Sequence, residues 1–225
     1  MSLQTDHVRK LFPSGLIGTR ILLIVFFSVG IIGIIVDPAR DLFISLTPLA
    51  LFLSMAAVIV FHKSTDLRKE IILFVLIYIA GFLVEAAGVN SGKIFGIYSY
   101  GTGLGIKVLN TPLMIGANWA LLVYCTSVIS DGFALPLFLK IPVASLMMLV
   151  YDIILEQVAP VMNMWSFEGD SAPIRNYIVW YILALIFHSA LRLSGVKITN
   201  RIAPFIFLIQ AIFFFILTIH FRLDR

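Results

Sequence analysis

The sequence predicts an all-α, polytopic membrane protein with about seven transmembrane helices, and its composition and its apolar runs both support this fold class. Hydrophobic residues make up 60% of the 225 residues, whereas charged residues make up only 12%. A soluble domain is nearer half apolar and about a quarter charged, so this chain has too little charge to cover a globule in water. Seven apolar stretches follow one another, each close to the about 17–25 residues that a membrane-spanning helix needs. We expect one transmembrane helical domain over residues 1–225.

Each apolar stretch is predicted to be a helix, because a backbone in lipid must satisfy its own hydrogen bonds. The first stretch is apolar on every face, whereas a barrel strand would alternate. It follows basic residues, as in a signal peptide, but Val36, Asp37 and Pro38 end it without a small-residue cleavage site, so we retain it as a mature helix. The predicted spans are residues 16–36, 42–61, 70–89, 111–130, 138–159, 175–192 and 201–221.

The distribution of charge predicts an orientation and excludes several classes of protein. With the N-terminus inside, the inner segments carry ten Lys and Arg and the outer segments six. This excess favours the N-terminus inside, and the expected location is the cytoplasmic membrane. The basic residues are scattered between apolar runs, which argues against a nucleic-acid partner. The single Cys125 and four dispersed histidines predict neither a disulfide framework nor a metal site.

Three acidic residues inside apolar stretches are the candidate functional residues. Glu85 lies late in the third predicted helix, and Asp152 and Glu156 lie in the fifth. The i, i+4 spacing of Asp152 and Glu156 places both on one face, about 6 Å apart. Both helices end on the outer side, so the three acids share one leaflet with Asn118 and Trp119. The alternative is that these carboxyl groups serve only as hydrogen-bonding contacts between helices.

Two long connections, residues 90–110 and 159–174, are predicted on the same outer side. Loops of this length in a compact protein are usually functional or disordered. The first carries five glycines with Phe95, Tyr98 and Tyr100, and the second carries Trp165 and Phe167. Their aromatic content argues against disorder, so we expect both loops to contribute to function.

Paired acids in an apolar site are suited to proton-transfer chemistry. Desolvation penalises a carboxylate, so a buried carboxylic acid keeps its proton and can donate it even to a carbon–carbon double bond. A neighbouring carboxylate and aromatic faces would stabilise the cation, and a second carboxylate could orient a water. The residues therefore suit acid-catalysed hydration, cyclisation or isomerisation of a lipid-soluble polyene. A transporter or proton channel would use such acids too.

Several short motifs fall in order between about residues 70 and 190, and together they resemble a known family. They are Glu85-Ala-Ala-Gly88-Val-Asn-Ser-Gly92-Lys-Ile-Phe95-Gly96-Ile-Tyr98-Ser-Tyr100, Pro112, Asn118-Trp119, Asp152-Ile-Ile-Leu-Glu156, Met162, Trp165, Phe167, Pro173, Asn176-Tyr177 and Trp180. This pattern resembles the integral-membrane carotenoid hydratases of the CruF type, which include the bacterioruberin hydratases.

The resemblance implies a hydro-lyase that adds water to the terminal double bond of an acyclic (ψ) carotenoid end group, giving a tertiary alcohol. It implies a lipid-soluble carotenoid substrate and no cofactor, because the reaction is not redox; a cofactor-free carotenoid cyclase is the alternative enzyme. Asp152 is the expected proton donor, and Glu85 or Glu156 is expected to position the water. The expected substrate-binding residues are Asn118, Trp119, Tyr98, Tyr100, Trp165 and Asn176. The sequence indicates no oligomeric state.

Overall fold

The computed structural model describes residues 13–169 and 171–223, and eight α-helices account for most of these residues. The helices are α1 (Pro13–Ile35), α2 (Arg40–Ser45), α3 (Thr47–Phe61), α4 (Leu67–Ser91), α5 (Leu113–Asp131), α6 (Leu137–Glu156), α7 (Ile174–Leu193) and α8 (Ala203–Leu223). Short strands lie between them: β1 (His62–Lys63), β2 (Tyr98–Tyr100), β3 (Lys107–Val108), β4 (Thr111–Pro112), β5 (Trp165–Phe167) and β6 (Thr199–Asn200). The helical fold class is confirmed.

Six of the described helices are long and apolar enough to cross a membrane, and a seventh span is present if a bent pair counts as one. The first member of the pair is a 3-10 turn (Asp37–Ala39) followed by α2, and the second is α3; the two meet at 50°. Pro48 lies in the first turn of α3, where the missing N–H of proline prevents one continuous helix. The second predicted span, residues 42–61, is therefore a broken one. Residues Arg9, Lys10 and Arg225 lie outside the described part of the chain, and the orientation with the N-terminus inside stays a prediction.

Helix α5 is the centre of the bundle. Its apolar window is 78% buried, against 22–33% for the other five long helices. It packs against α3, α4, α6, α7 and α8. Small residues allow the close approach of α4, since a Cβ at Gly116 would lie 2.7 Å from the Tyr78 carbonyl oxygen. The surrounding helices turn their large apolar side chains outward, as expected of a protein in lipid.

The two long loops predicted from the sequence, which connect α4 to α5 and α6 to α7, pair with each other. Together they form one layer over the end of the bundle where α4 and α6 end, which we call the loop cover. Strands β2 and β5 pair antiparallel, with Tyr98 opposite Phe167 and Tyr100 opposite Trp165. Beyond the strands, the Gly101 N–H donates to the Met164 carbonyl at 2.9 Å, and the Gly103 N–H donates to the Asn163 carbonyl at 2.7 Å. The loops therefore hold each other in place.

Polar side chains fasten the opposite end of the bundle. The His62 ring makes 2.7 Å hydrogen bonds to the Tyr124 hydroxyl and to Glu70. On the same side, Arg192 of α7 contacts both carboxylate oxygens of Asp131 at the end of α5, at 2.7 and 2.8 Å. These contacts join the ends of α4, α5 and α7 that lie far from Glu85 and Glu156.

Candidate functional site

Glu85 is held by three hydrogen-bond donors from two different parts of the chain. The hydroxyls of Tyr98 and Tyr100 both donate to its Oε2 at 2.8 Å, and the indole Nε1 of Trp119 donates to Oε1 at 3.1 Å. The two tyrosines lie two residues apart in β2, so the alternation of a strand turns both toward the core. Glu85 is thereby fixed at the junction of α4, α5 and the loop cover.

Tyr98 and Tyr100 are suited to act only as donors. Burial, together with the negative charge of Glu85, raises the pKa of both hydroxyls well above their ordinary value. Both therefore keep their protons at physiological pH and present them to Glu85. Three donors therefore point at the two carboxyl oxygens of Glu85, each of which can accept more than one hydrogen bond.

Glu156 is the last residue of α6 and accepts two further hydrogen bonds. The indole Nε1 of Trp165, in β5, donates to Oε2 at 3.1 Å. The amide of Asn176, in the first turn of α7, donates to Oε1 at 3.1 Å. Pro173 precedes α7 in an extended conformation and starts the helix beside Glu156. The carboxyl group of Glu156 therefore ties together α6, α7 and the loop cover.

Asp152 lies one turn before Glu156 on the same helix but has a different environment. It is fully buried, and neither carboxyl oxygen has a hydrogen-bond partner among the described residues. The Asn176 amide lies beside it yet donates to Glu156. Glu156 lies one turn away from Asp152 on the same helix face. A buried carboxyl group without a partner is rare and costly, so Asp152 is the unusual member of the group.

The space beside Glu85 and Glu156 is small. Glu85 and Glu156 line a cavity of about 10 Å³, which we call the acid cavity. One water molecule needs about 10–15 Å³, so the acid cavity has about the size of a single water. A second cavity of about 20 Å³ lies next to it and is lined in part by Asn118, Tyr151 and Leu155. A group larger than water can reach the acids only if side chains between these cavities move.

Aromatic rings surround the acids on the side of α5 and α7. The rings of Trp119 and Trp180 stack with their centroids 3.9 Å apart, and Phe187 meets Trp119 edge-on at 5.5 Å. Gly81 makes room for this stack, because a Cβ there would lie 2.8 Å from the Trp119 ring. Trp180 was not predicted as a site residue. Its i, i+4 spacing from Asn176 on α7 was the signal, since it places both side chains on one helix face.

The predicted substrate-binding residues distribute over these features as follows. Tyr98, Tyr100, Trp165 and Asn176 line the acid cavity, Trp119 contacts it through Glu85, and Asn118 lines the second cavity. Phe95, Phe167 and Trp180 line the acid cavity as well, although they were not predicted as binding residues. Among the described residues, no group of three or more His, Cys, Asp and Glu side chains is arranged to hold a metal ion.

One comparison with known proteins gives a match. The profile of a family described as carotenoid biosynthesis protein matches residues 45–223, which is most of the chain. No curated protein and no solved structure matches. The match extends over α3 to α8 and so includes all three acids and both long loops.

Proposed function

This chain belongs to the carotenoid biosynthesis protein family, and on that premise we propose that it is a hydro-lyase of the cytoplasmic membrane. It adds water to the terminal double bond of an acyclic carotenoid end group and gives a tertiary alcohol. One observation carries the proposal: the buried carboxyl group of Asp152 has no hydrogen-bond partner among the described residues, and it lies one turn before Glu156, which lines a water-sized cavity together with Glu85. An acid, a water position and an anion are the three components that hydration of an alkene requires.

The first step is proton transfer from Asp152. Its carboxyl O–H protonates the terminal double bond at the carbon that bears one hydrogen, and the positive charge remains on the carbon that bears two methyl groups. The neutral acid is the favoured form of a carboxyl group buried without a donor or a counter-charge. No basic residue forms an ion pair with Asp152, Glu85 or Glu156 in the described part of the chain, so no paired positive charge favours the ionised form of Asp152.

The second step is capture of the tertiary cation by water. The water oxygen forms the new carbon–oxygen bond, and one of its protons passes to Glu156. Glu156 is the better base for this step because it lies one turn from Asp152 and can return the proton to it, which restores both groups. The net change is the addition of one water molecule. Glu85, fixed by its three donors, supplies the nearby negative charge that stabilises the cation.

The aromatic rings support the same chemistry. The faces of aromatic rings attract positive charge, by about 0.5–2 kcal/mol for each favourable contact. Trp119 and Trp180 lie beside Glu85, and Trp165 lies beside Glu156. The indole N–H edges of Trp119 and Trp165 point at the carboxyl groups, so a cation that these rings stabilise has to lie over their faces, away from those edges.

The test of the proposal is the mass of the pigments. The protein is expressed in a host that accumulates lycopene, its presence in the membrane is verified, and the pigments are extracted. We expect a product heavier than lycopene by one water. A product of unchanged mass with a new ring would instead identify a cyclase. An unchanged lycopene profile would contradict both the hydratase and the cyclase. Acid-dependent flux in liposomes would then be measured, because a channel predicts it.

A further inference from the structure

A long groove runs along α1 on the outside of the bundle. It has a volume of about 790 Å³ and is bounded by α1, α3 and α8. Helix α1 packs against α8 while α3 packs against α5, and the groove occupies the space left between α1 and α3. Its lining on α1 extends from Gly18 to Ile34, about 24 Å at 1.5 Å per residue. The groove therefore covers most of the about 30 Å of a bilayer's hydrocarbon layer.

The chemistry of the groove suits a long apolar molecule. Its only polar side chains among the described residues are Thr47, Tyr151 and Gln210. Of these, the Tyr151 hydroxyl donates to the Gln210 side-chain oxygen at 3.2 Å, so neither side chain needs a polar ligand. The rings of Phe27 and Phe213 meet edge-on, 5.5 Å apart, where α1 packs on α8. Flat aromatic rings and aliphatic side chains are favourable neighbours for a conjugated chain.

The groove leads toward the acids. It shares four lining residues with the second cavity, and these are Thr47, Leu51, Tyr151 and Phe214. The second cavity in turn shares Ile115 and Trp165 with the acid cavity. One layer of side chains therefore separates the near end of the groove from the second cavity, and another separates that cavity from the acids. Tyr151 in the first layer directly precedes Asp152.

We propose that this groove binds the polyene chain of the substrate, with the reacting end group passing between Leu51 and Phe214 toward Asp152. This inference rests on the proposed function and adds the position of the substrate to it. The length, the apolar lining and the lining residues shared with the second cavity all favour an extended hydrocarbon over a compact or polar ligand. The substrate enters from the lipid, because Ile21, Leu22 and Val25 on the groove's rim are exposed there.

The test shortens the groove at the end far from the acids. Gly18 lines the groove and faces open space, because a Cβ added there would have no atom within 4 Å, so we expect the ring of Gly18→Phe to occupy this end of the groove. Leu22→Trp, one turn further along, is the second variant. Ile17→Phe is the matched control, because Ile17 is exposed to lipid and does not line the groove. Each protein is purified from a lycopene-producing host, and its bound pigment and its product mass are measured.

We expect Gly18→Phe and Leu22→Trp to retain at least tenfold less lycopene than the wild type, whereas Ile17→Phe retains as much. A half-length polyene that keeps one ψ end group should bind equally to all four proteins. Equal lycopene retention by Gly18→Phe and the wild type would contradict the proposal that the groove binds the polyene. The same result is expected if only lipid acyl chains occupy the groove. Loss of pigment in the variants without any hydrated product in the wild type would support the groove and contradict the hydratase.

Discussion

At the scale of single residues, two carboxyl groups one turn apart on α6 have opposite surroundings. Glu156 accepts hydrogen bonds from Trp165 and Asn176, whereas the oxygens of Asp152 have no partner in the described part of the chain. Neighbouring acids in unlike environments are the usual arrangement when one donates a proton and the other accepts it. The contrast assigns these roles within the proposed mechanism.

Replacing Asp152 with Asn tests its role as the donor. Asn has the same shape but no acidic proton, and no hydrogen bond among the described residues is lost, so the fold should be unaffected. We expect hydration to fall by about 100-fold or more, the usual contribution of a general acid, with unchanged expression and melting temperature. Glu168→Gln, in the exposed part of the second loop, is the control and should be fully active. Substantial turnover by Asp152→Asn would remove this residue from the donor role.

Replacing Glu85 with Gln tests a different function, because this carboxylate is both structural and electrostatic. A Gln side chain cannot accept from Tyr98, Tyr100 and Trp119 together, since one of its two terminal groups is a donor. A buried donor left unpaired costs about 1–3 kcal/mol. We therefore expect a lower melting temperature as well as reduced hydration. Tyr98→Phe with Glu85 intact should lower stability less. A Glu85→Gln protein with wild-type stability and turnover would contradict the assignment.

The sequence could predict the depth of these residues but not the faces on which they lie. Positions along α4 and α6 place Glu85, Asp152 and Glu156 near the same end of the bundle, and the structure has them there. A helix that is apolar on every face carries no periodic signal for its contact side. The contact of Tyr151 with Gln210 could therefore not be predicted from the sequence, and neither could the groove beside it.

At the scale of elements, the pairing of β2 with β5 turns two glycine- and aromatic-containing loops into one structure. The sequence predicted that these loops are functional but not that they contact each other, because partners about 65 residues apart leave no local trace. The break between α2 and α3 was also missed, although Pro48 was visible. The long apolar run over residues 42–61 indicated a single helix more strongly than Pro48 indicated a break, so the bend was not predicted.

Gly101 tests the contribution of the loop cover. A Cβ at this position would lie 2.1 Å from the Asn163 side-chain oxygen and 2.3 Å from its carbonyl oxygen, so Gly101→Val must push the loops apart. We expect the variant to lose most hydration and to become sensitive to protease in residues 92–112. Ser99→Val places the same side chain on the exposed face of β2 and should be tolerated. Equal protease resistance in both variants would show that the pairing is dispensable.

At the scale of the whole molecule, the polar contacts at the Arg192 end of the bundle serve stability, whereas those at the acid end serve both stability and the proposed chemistry. Arg192 joins α7 to α5 through Asp131. This contact lies at the end of the bundle opposite the three acids. Arg192→Met should lower the melting temperature, since a partly buried hydrogen bond between charged groups contributes about 1–3 kcal/mol. Hydration per folded molecule should be unchanged.

Arg68→Met controls for this substitution, because it removes one positive charge from the same side at an exposed position. It should change neither stability nor turnover. If Arg192→Met instead reduced turnover without lowering the melting temperature, the Arg192 end of the bundle would have to communicate with the acids. The contacts of Arg192 would then have a role in turnover as well as in stability.

The position of the acids near one end of the bundle has a consequence for what leaves the protein. Under the proposed reaction, an oil-like molecule acquires its alcohol about where the hydrocarbon gives way to lipid headgroups. A hydroxyl avoids the bilayer interior, so the modified terminus would stay at that boundary while the rest of the molecule trails into the membrane. The product would thus leave the protein already oriented along the bilayer normal, as an amphiphile with its hydroxyl at the surface of one leaflet.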